Sequence, residues 1–163
     1  AMNENLYIKQ AEVHGMSQRG GDVQSNLRIS SDPIMSDLIP RGGADVIISM
    51  EPMEALRYLP WLKKDGWVIT SSTPFKNIPN YPDMEVIKAD LARLPHVVSL
   101  DIEQMARDNG ISRSANVILL GAAQKALGID YEKLEQAIRR VFGRKGDAVV
   151  EANIKALALG RDA

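Results

Sequence analysis

Three short apolar runs constrain this chain more than anything else in it. They are 45–50 (Asp-Val-Ile-Ile-Ser-Met), 66–71 (Gly-Trp-Val-Ile-Thr-Ser) and 97–101 (Val-Val-Ser-Leu-Asp). Each is too short for an ordinary helix and lacks the alternation of a half-solvated strand. Each therefore reads as a strand buried on both faces, as in a parallel sheet. Glu51-Pro52 follows the first run. Pro52 suits a first helical position, where a missing N–H has no bond to lose. Leu56 and Leu59 give 53–62 a short buried face, and Pro60 shortens or breaks that helix. Strand, helix and strand in this spacing make a βαβ unit, right-handed if its strands are parallel.

The remaining segments extend the same pattern. Prolines and glycines mark 30–43 and 72–83 as loops. Residues 84–94 read as a helix, and 102–108 as another, closed by Asn109-Gly110. Three more helices end the chain. The first, 116–127, is apolar nearly all round and rich in small residues, so it should be buried. The second, 131–142, carries Leu134, Ile138 and Val141 on one face, with Asp130 placed as its N-cap and Gly143 beyond its end. The third, 145–159, has Val150, Ile154 and Leu157 on one stripe and stops at Gly160. Ahead of all this, 6–13 and 23–29 alternate loosely and predict two strands in a hairpin-like or edge arrangement, with a longer connection than the commonest hairpins.

The sum predicts an α/β fold: an open Rossmann-like three-layer sandwich with a mostly parallel sheet, as a single domain over 1–163. A doubly wound domain normally opens with a central strand and a helix. This chain begins Ala-Met-Asn-Glu-Asn, which reads as the last turn of a helix entering a strand. The expectation is that an opening strand–loop–helix is missing from the sequence.

Composition removes several classes of function. With 163 residues the chain can bury a real core. A net charge of -1 gives no basic field for nucleic acid or an anionic membrane. No apolar run approaches the roughly 18 residues of a membrane span, and no signal peptide opens the sequence, which favours the cytoplasm. Cysteine is absent, so the chain offers neither disulfides nor thiolates for an iron–sulfur cluster or zinc. His14 and His96 are its two histidines, far apart in sequence.

Between the first two strands lies Glu12-Val-His-Gly-Met-Ser-Gln-Arg-Gly-Gly21. Glycines free its backbone for close approach, and polar groups on such a loop are where a scaffold usually presents function. It matches neither a P-loop nor G-x-G-x-x-G. Ser17 has no readable base and acid to activate it as a nucleophile. Ser17 and Gln18 are read as hydrogen-bonding groups.

The run 12–21 resembles the signature of the small subunit of indolepyruvate:ferredoxin oxidoreductase, and more broadly the gamma domain of the 2-oxoacid:ferredoxin oxidoreductases. The likeness continues in Leu38-Ile-Pro, Ala44-Asp-Val and Glu51-Pro-Met-Glu-Ala-Leu-Arg-Tyr-Leu59. It continues again in Ser114-Ala-Asn-Val-Ile-Leu-Leu-Gly121, Lys145 and Asn153, and so covers essentially the whole chain. The family's opening strand, Gly-rich turn and helix have no counterpart here.

The resemblance implies a subunit that is inactive alone. A large partner would bind thiamine diphosphate and iron–sulfur clusters. A 2-oxoacid would be decarboxylated, ferredoxin would take the electrons, and coenzyme A would take the acyl group. The alternative is a non-catalytic assembly or ligand-binding module on the same scaffold, with no nucleic-acid or membrane partner in either case.

Two roles stay open for each singled-out residue. His14 is an acid/base or donor group, or it anchors the turn. Arg19, with the N–H groups of Gly20 and Gly21, holds a substrate carboxylate or a coenzyme A phosphate, or pairs with the large subunit. Gly15 belongs to the same set. Glu51, at the carboxyl end of a strand, is a ligand group or a helix cap. Asn116 is structural or lines the cleft. His96 reads as a loop residue, and Trp61 and Trp67 as packing or partner contacts.

Overall fold

A computed structural model describes residues 6–12 and 23–163. Two strands open it, β1 (Tyr7–Glu12) and β2 (Ser25–Ser30). They pair antiparallel as a separate ribbon, with Ile8 opposite Ile29 and Gln10 opposite Leu27. Arg28 fastens the ribbon to the next loop by donating to the carbonyls of Ser36 at 2.9 Å and Leu38 at 3.3 Å. Asn26 Oδ1 accepts from the Ile39 N–H at 3.2 Å.

The main sheet has three parallel strands in the order β3 (Ala44–Ser49), β4 (Leu62–Ser71) and β5 (Val97–Leu100). Helix α1 (Pro52–Arg57) connects β3 to β4, and α2 (Met84–Leu91) connects β4 to β5. Then follow α3 (Ile102–Asp108), α4 (Ala115–Leu127), α5 (Tyr131–Phe142) and α6 (Asp147–Arg161).

Successive strand residues point to opposite faces, so neighbours in β4 seed two different cores. Val68 packs with Ala55, Ile87 and Leu91 of α1 and α2. Ile69 packs with Ile102, Ile118, Leu119 and Leu157 of α3, α4 and α6. Helices thus cover both faces, giving the three layers expected from the sequence.

Several local expectations are corrected. The run 45–50 reads as buried on both faces, but β3 is an edge strand among the described residues and Ile48 is 44% exposed. The helix expected over 53–62 ends at Arg57. Pro60 instead sits in a 3₁₀ turn, Leu59–Trp61, because its ring cannot extend an α-helix. β4 begins before the expected Gly66: the pairing of Ala44 with Leu62 jumps to Val46 with Trp67 across a bulge. Asp130 stands at the N-cap of α5, yet its side chain makes no capping bond; it pairs with Lys133 at 3.3 Å. Gly143 follows the end of α5, as expected. A 3₁₀ turn, Gly143–Lys145, follows, and Gly146, with φ of 98°, makes the break before α6.

Gly160 is the most informative correction. It lies inside α6, which runs on to Arg161. A Cβ there would collide with the Ile118 carbonyl oxygen of α4, and one at Gly121 would collide with the Leu157 carbonyl oxygen of α6. The two helices therefore meet backbone to backbone. Glycine is placed here by contact, not by helix termination.

Candidate functional site

The carboxyl edge of the parallel sheet is built by short polar side chains. After β3, the Ser49 hydroxyl donates to the Glu51 carbonyl at 2.6 Å and accepts from the Glu51 N–H at 3.2 Å, which fixes the strand-to-helix turn. After β4, Ser71 Oγ accepts from the Thr73 N–H at 3.1 Å. After β5, Asp101 Oδ1 accepts from the Gln104 N–H at 2.9 Å and caps α3.

Glu51 is drawn into this edge from two directions. Its Oε2 accepts from the Glu54 N–H at 2.8 Å and caps α1. Its Oε1 accepts from the Tyr81 hydroxyl and, at 3.4 Å, from the Phe75 N–H. Burial, and then the Glu51 carboxylate as acceptor, push the Tyr81 phenol above its ordinary pKa. The loop 72–83 is thus tied at its far end to the α1 cap. At its near end the Thr73 hydroxyl donates to Asp101 Oδ1 at 3.0 Å, which ties it to the α3 cap.

Beside this edge a cleft of about 550 Å³ separates the ribbon from the main sheet. Ala44, Val46 to Ser49 of β3 and Glu51 form one side of it, and Val23 to Asn26 form another. Tyr58 and Trp61 also line it; Arg41 lies over the Trp61 ring at 5.3 Å. The chain that leaves the run 13–22 therefore enters the rim of this cleft at Val23.

His14, Gly15, Ser17, Gln18, Arg19, Gly20 and Gly21 lie outside the described residues. Glu51 lines the cleft. Asn116 is exposed, near the start of α4. Ala126 of α4 borders Asp45 and Gly66 at the amino edge of the sheet, so the start of α4 lies towards the carboxyl edge. α4 packs in the core of Ile69, on the face opposite the one that α1 covers. His96 is stacked on Trp67, ring centroids 4.7 Å apart. Asn153 is buried and donates to the Val149 carbonyl at 2.7 Å.

Tyr81, Thr73 and Asp101 were not singled out from the sequence. An Asp at a strand end before an apolar helix is an N-cap signal and was available for Asp101. Tyr81 and Thr73 carry no local signal, because their partners lie 30 and 28 residues away.

Comparison with known proteins places this architecture. Residues 1–163 match the family described as pyruvate ferredoxin/flavodoxin oxidoreductase. The indolepyruvate oxidoreductase subunit IorB of Archaeoglobus fulgidus is 36% identical over 171 aligned positions, which cover 98% of this chain and 82% of that protein. Its counterpart in Pyrococcus horikoshii is 35% identical with the same coverage. Among solved structures, the keto/oxoacid ferredoxin oxidoreductase gamma subunit of Geobacter sulfurreducens superposes with a TM-score of 0.67 at 21% identity. That match covers 99% of this chain and 81% of that one. The 2-oxoglutarate:ferredoxin oxidoreductase of Magnetococcus marinus gives 0.70 at 20% identity, covering 96% of this chain and 25% of that one. At those identities the two structures speak for the fold, while the sequence matches run nearly end to end through the strands, caps and helices described above: the chain belongs to the pyruvate ferredoxin/flavodoxin oxidoreductase family.

Proposed function

We propose that the chain is the small subunit of a 2-oxoacid:ferredoxin oxidoreductase of the indolepyruvate type, active in the cytoplasm only when bound to a larger subunit. The observation that carries this reading is the near end-to-end match to indolepyruvate oxidoreductase subunits, at 36% identity over 98% of the chain. Cysteine is absent from the whole sequence, and no group of three His, Asp or Glu side chains is placed to hold a metal among the described residues. The chain does not fit an iron–sulfur cluster, so the thiolates for one come from the partner. Thiamine diphosphate, also on the partner, supplies the nucleophilic carbon that cleaves a 2-oxoacid.

This chain's own contribution is to bind and position. Arg19 is a planar fork suited to the carboxylate of a 2-oxoacid or a phosphate of coenzyme A. The backbone N–H groups of Gly20 and Gly21 act with it, and Gly15, Ser17 and Gln18 shape the same loop. His14 hydrogen-bonds the substrate or carries a proton. Glu51 is a positioning residue: it holds loop 72–83 to the carboxyl edge rather than meeting the substrate. Ferredoxin takes the electrons through the complex.

The test is reconstitution with the thiamine-binding subunit encoded by the same organism. The complex should reduce ferredoxin or a viologen dye when given indolepyruvate, and neither subunit should do so alone. Arg19→Ala should lower turnover at least tenfold while the complex still elutes intact. Unchanged turnover with both His14→Ala and Arg19→Ala would instead make the chain an assembly module. Full activity of the isolated chain would end the subunit reading.

A further inference from the structure

Helix α5 has two flanks beside its inward stripe of Leu134 and Ile138. One flank is closed. Arg139 donates to Glu135 at 2.9 Å and to Glu151 of α6 at 3.1 Å, so its charge is answered within the fold. The other flank is open. Ala137, Arg140, Val141 and Arg144 recur at helical spacing and are all exposed, Val141 at 66%. Lys145 follows, its Nζ 5.4 Å from the centroid of the Phe142 ring. Among the described residues no carboxylate lies within ion-pair distance of Arg140, Arg144 or Lys145. Residues 139–145 thus hold four cations and no carboxylate, in a chain whose net charge is -1.

Local stability explains only part of this. Arg140 is in the last turn of α5, where a cation suits the helix dipole. Arg144 and Lys145 stand just ahead of α6, whose amino end repels cations; Asp147 in its first turn is the residue that end favours. A β-branched valine held in solvent at 141 adds neither helix propensity nor burial.

The patch lies at the end of the molecule where the sheet offers a site. Tyr131 meets Arg161 and Arg139 meets Glu151, so α5 runs against α6. Gly121 meets Leu157 and Lys125 acts on the charge of Asp162, so α6 runs with α4. The start of α4 lies towards the carboxyl edge of the sheet, and with it lie the end of α5 and the turn Gly143–Lys145. Ligands of open α/β sheets bind outside that edge. A larger subunit that brings thiamine diphosphate to this chain has to approach the same edge.

We propose that Arg140, Arg144 and Lys145, with Val141 at their centre, form a docking surface for an acidic strip of the larger subunit. The proposal rests on the subunit reading given above. Charge complementarity selects the occupant. A second copy of the chain would set these cations against one another. Ferredoxin takes its electrons from clusters, which a chain without cysteine does not hold, so it docks elsewhere in the complex. Arginine suits such a contact, because its planar, weakly hydrated guanidinium gives up water more readily than an ammonium.

The test is calorimetric titration of this chain with the thiamine-binding subunit encoded by the same organism, at salt concentrations from about 0.05 to about 0.5 M. Arg140→Glu with Arg144→Glu should weaken association roughly 30-fold at the lowest salt and flatten its salt dependence. Arg140→Gln with Arg144→Gln should cost less, and Val141→Ser roughly fivefold. Lys64→Glu with Arg93→Glu changes the net charge equally, leaves the patch intact, and should alter affinity by less than about threefold. All five side chains are exposed, and equal urea midpoints will show that the variants fold. Wild-type association that the patch variants leave unchanged overturns the proposal. So does an equal loss from the control pair, which makes the effect one of net charge. Unchanged association with a raised KM for ferredoxin overturns it in favour of the electron carrier as occupant. No association of the unaltered chain overturns the subunit reading itself, and this proposal with it.

Discussion

β4 holds Val68, Ile69 and Thr70 at 0% exposure, while Ile48, in the equally apolar neighbouring strand β3, is 44% exposed. The two strands are adjacent, parallel and similar in sequence. They differ in what stands beside them. β4 has a strand on each side and helices on both faces; β3 has a strand on one side and a cleft on the other. Fully burying an isoleucine is worth about 1.5–3 kcal/mol, so a half-exposed Ile48 forgoes on the order of 1 kcal/mol. An apolar pattern therefore states what a strand requires of its neighbours, not what it has.

This contrast between a closed side and an open side can be broken or sharpened by substitution. The largest effect belongs to the closed side. Gly160→Val would force α6 away from α4, and overpacking of that kind costs about 3 kcal/mol or more; urea unfolding should show a sharply lowered midpoint. Ile69→Ala comes next, at about 2–5 kcal/mol by the same measurement. Ile48→Ala in the 163-residue chain should cost under about 1 kcal/mol. Equal losses at Ile48 and Ile69 would erase the distinction between the two strands.

Smaller effects sit at the carboxyl edge, where the two sides meet. Asp101→Ala removes the cap of α3 and an anchor of loop 72–83, and should cost about 1 kcal/mol. Tyr81 gives a pH signature. Its phenol is held protonated above the usual pKa of about 10 by burial and by Glu51, so the unfolded chain ionises first as pH rises. The stability it confers is complete below pH about 10 and falls as pH climbs towards its folded value. Tyr81→Phe should flatten that alkaline decline in unfolding experiments; a decline of the same steepness would show that Tyr81 is not its source.

Much of the fold was legible because its signals are local. α3 and α5 fall at the expected residues, since Asn109 and Gly146-flanked turns bracket periodic apolar faces. β3 was recognised as a strand, but its place at the edge is a property of its neighbours and is not written in its own residues. Gly160 carried a true signal with two meanings, helix end and close approach, and only the packing of α4 separates them. At the site, Glu51 was legible from its place after an apolar run before Pro52. Tyr81, its partner across thirty residues, was not. Asn116 was placed near the helix start that it occupies in α4.

The paired glycines of α4 and α6 have a mechanical consequence. Because Gly121 meets the Leu157 carbonyl and Gly160 meets the Ile118 carbonyl, sliding either helix by one residue would drive a side chain into backbone. The pair is keyed against translation and against rotation about its axes. α6 also carries α5 with it, through Arg161 over the Tyr131 ring and Arg139 bonded to Glu151. The ribbon is held differently, by the hydrogen bonds of Arg28 and Asn26 to the loop that follows it.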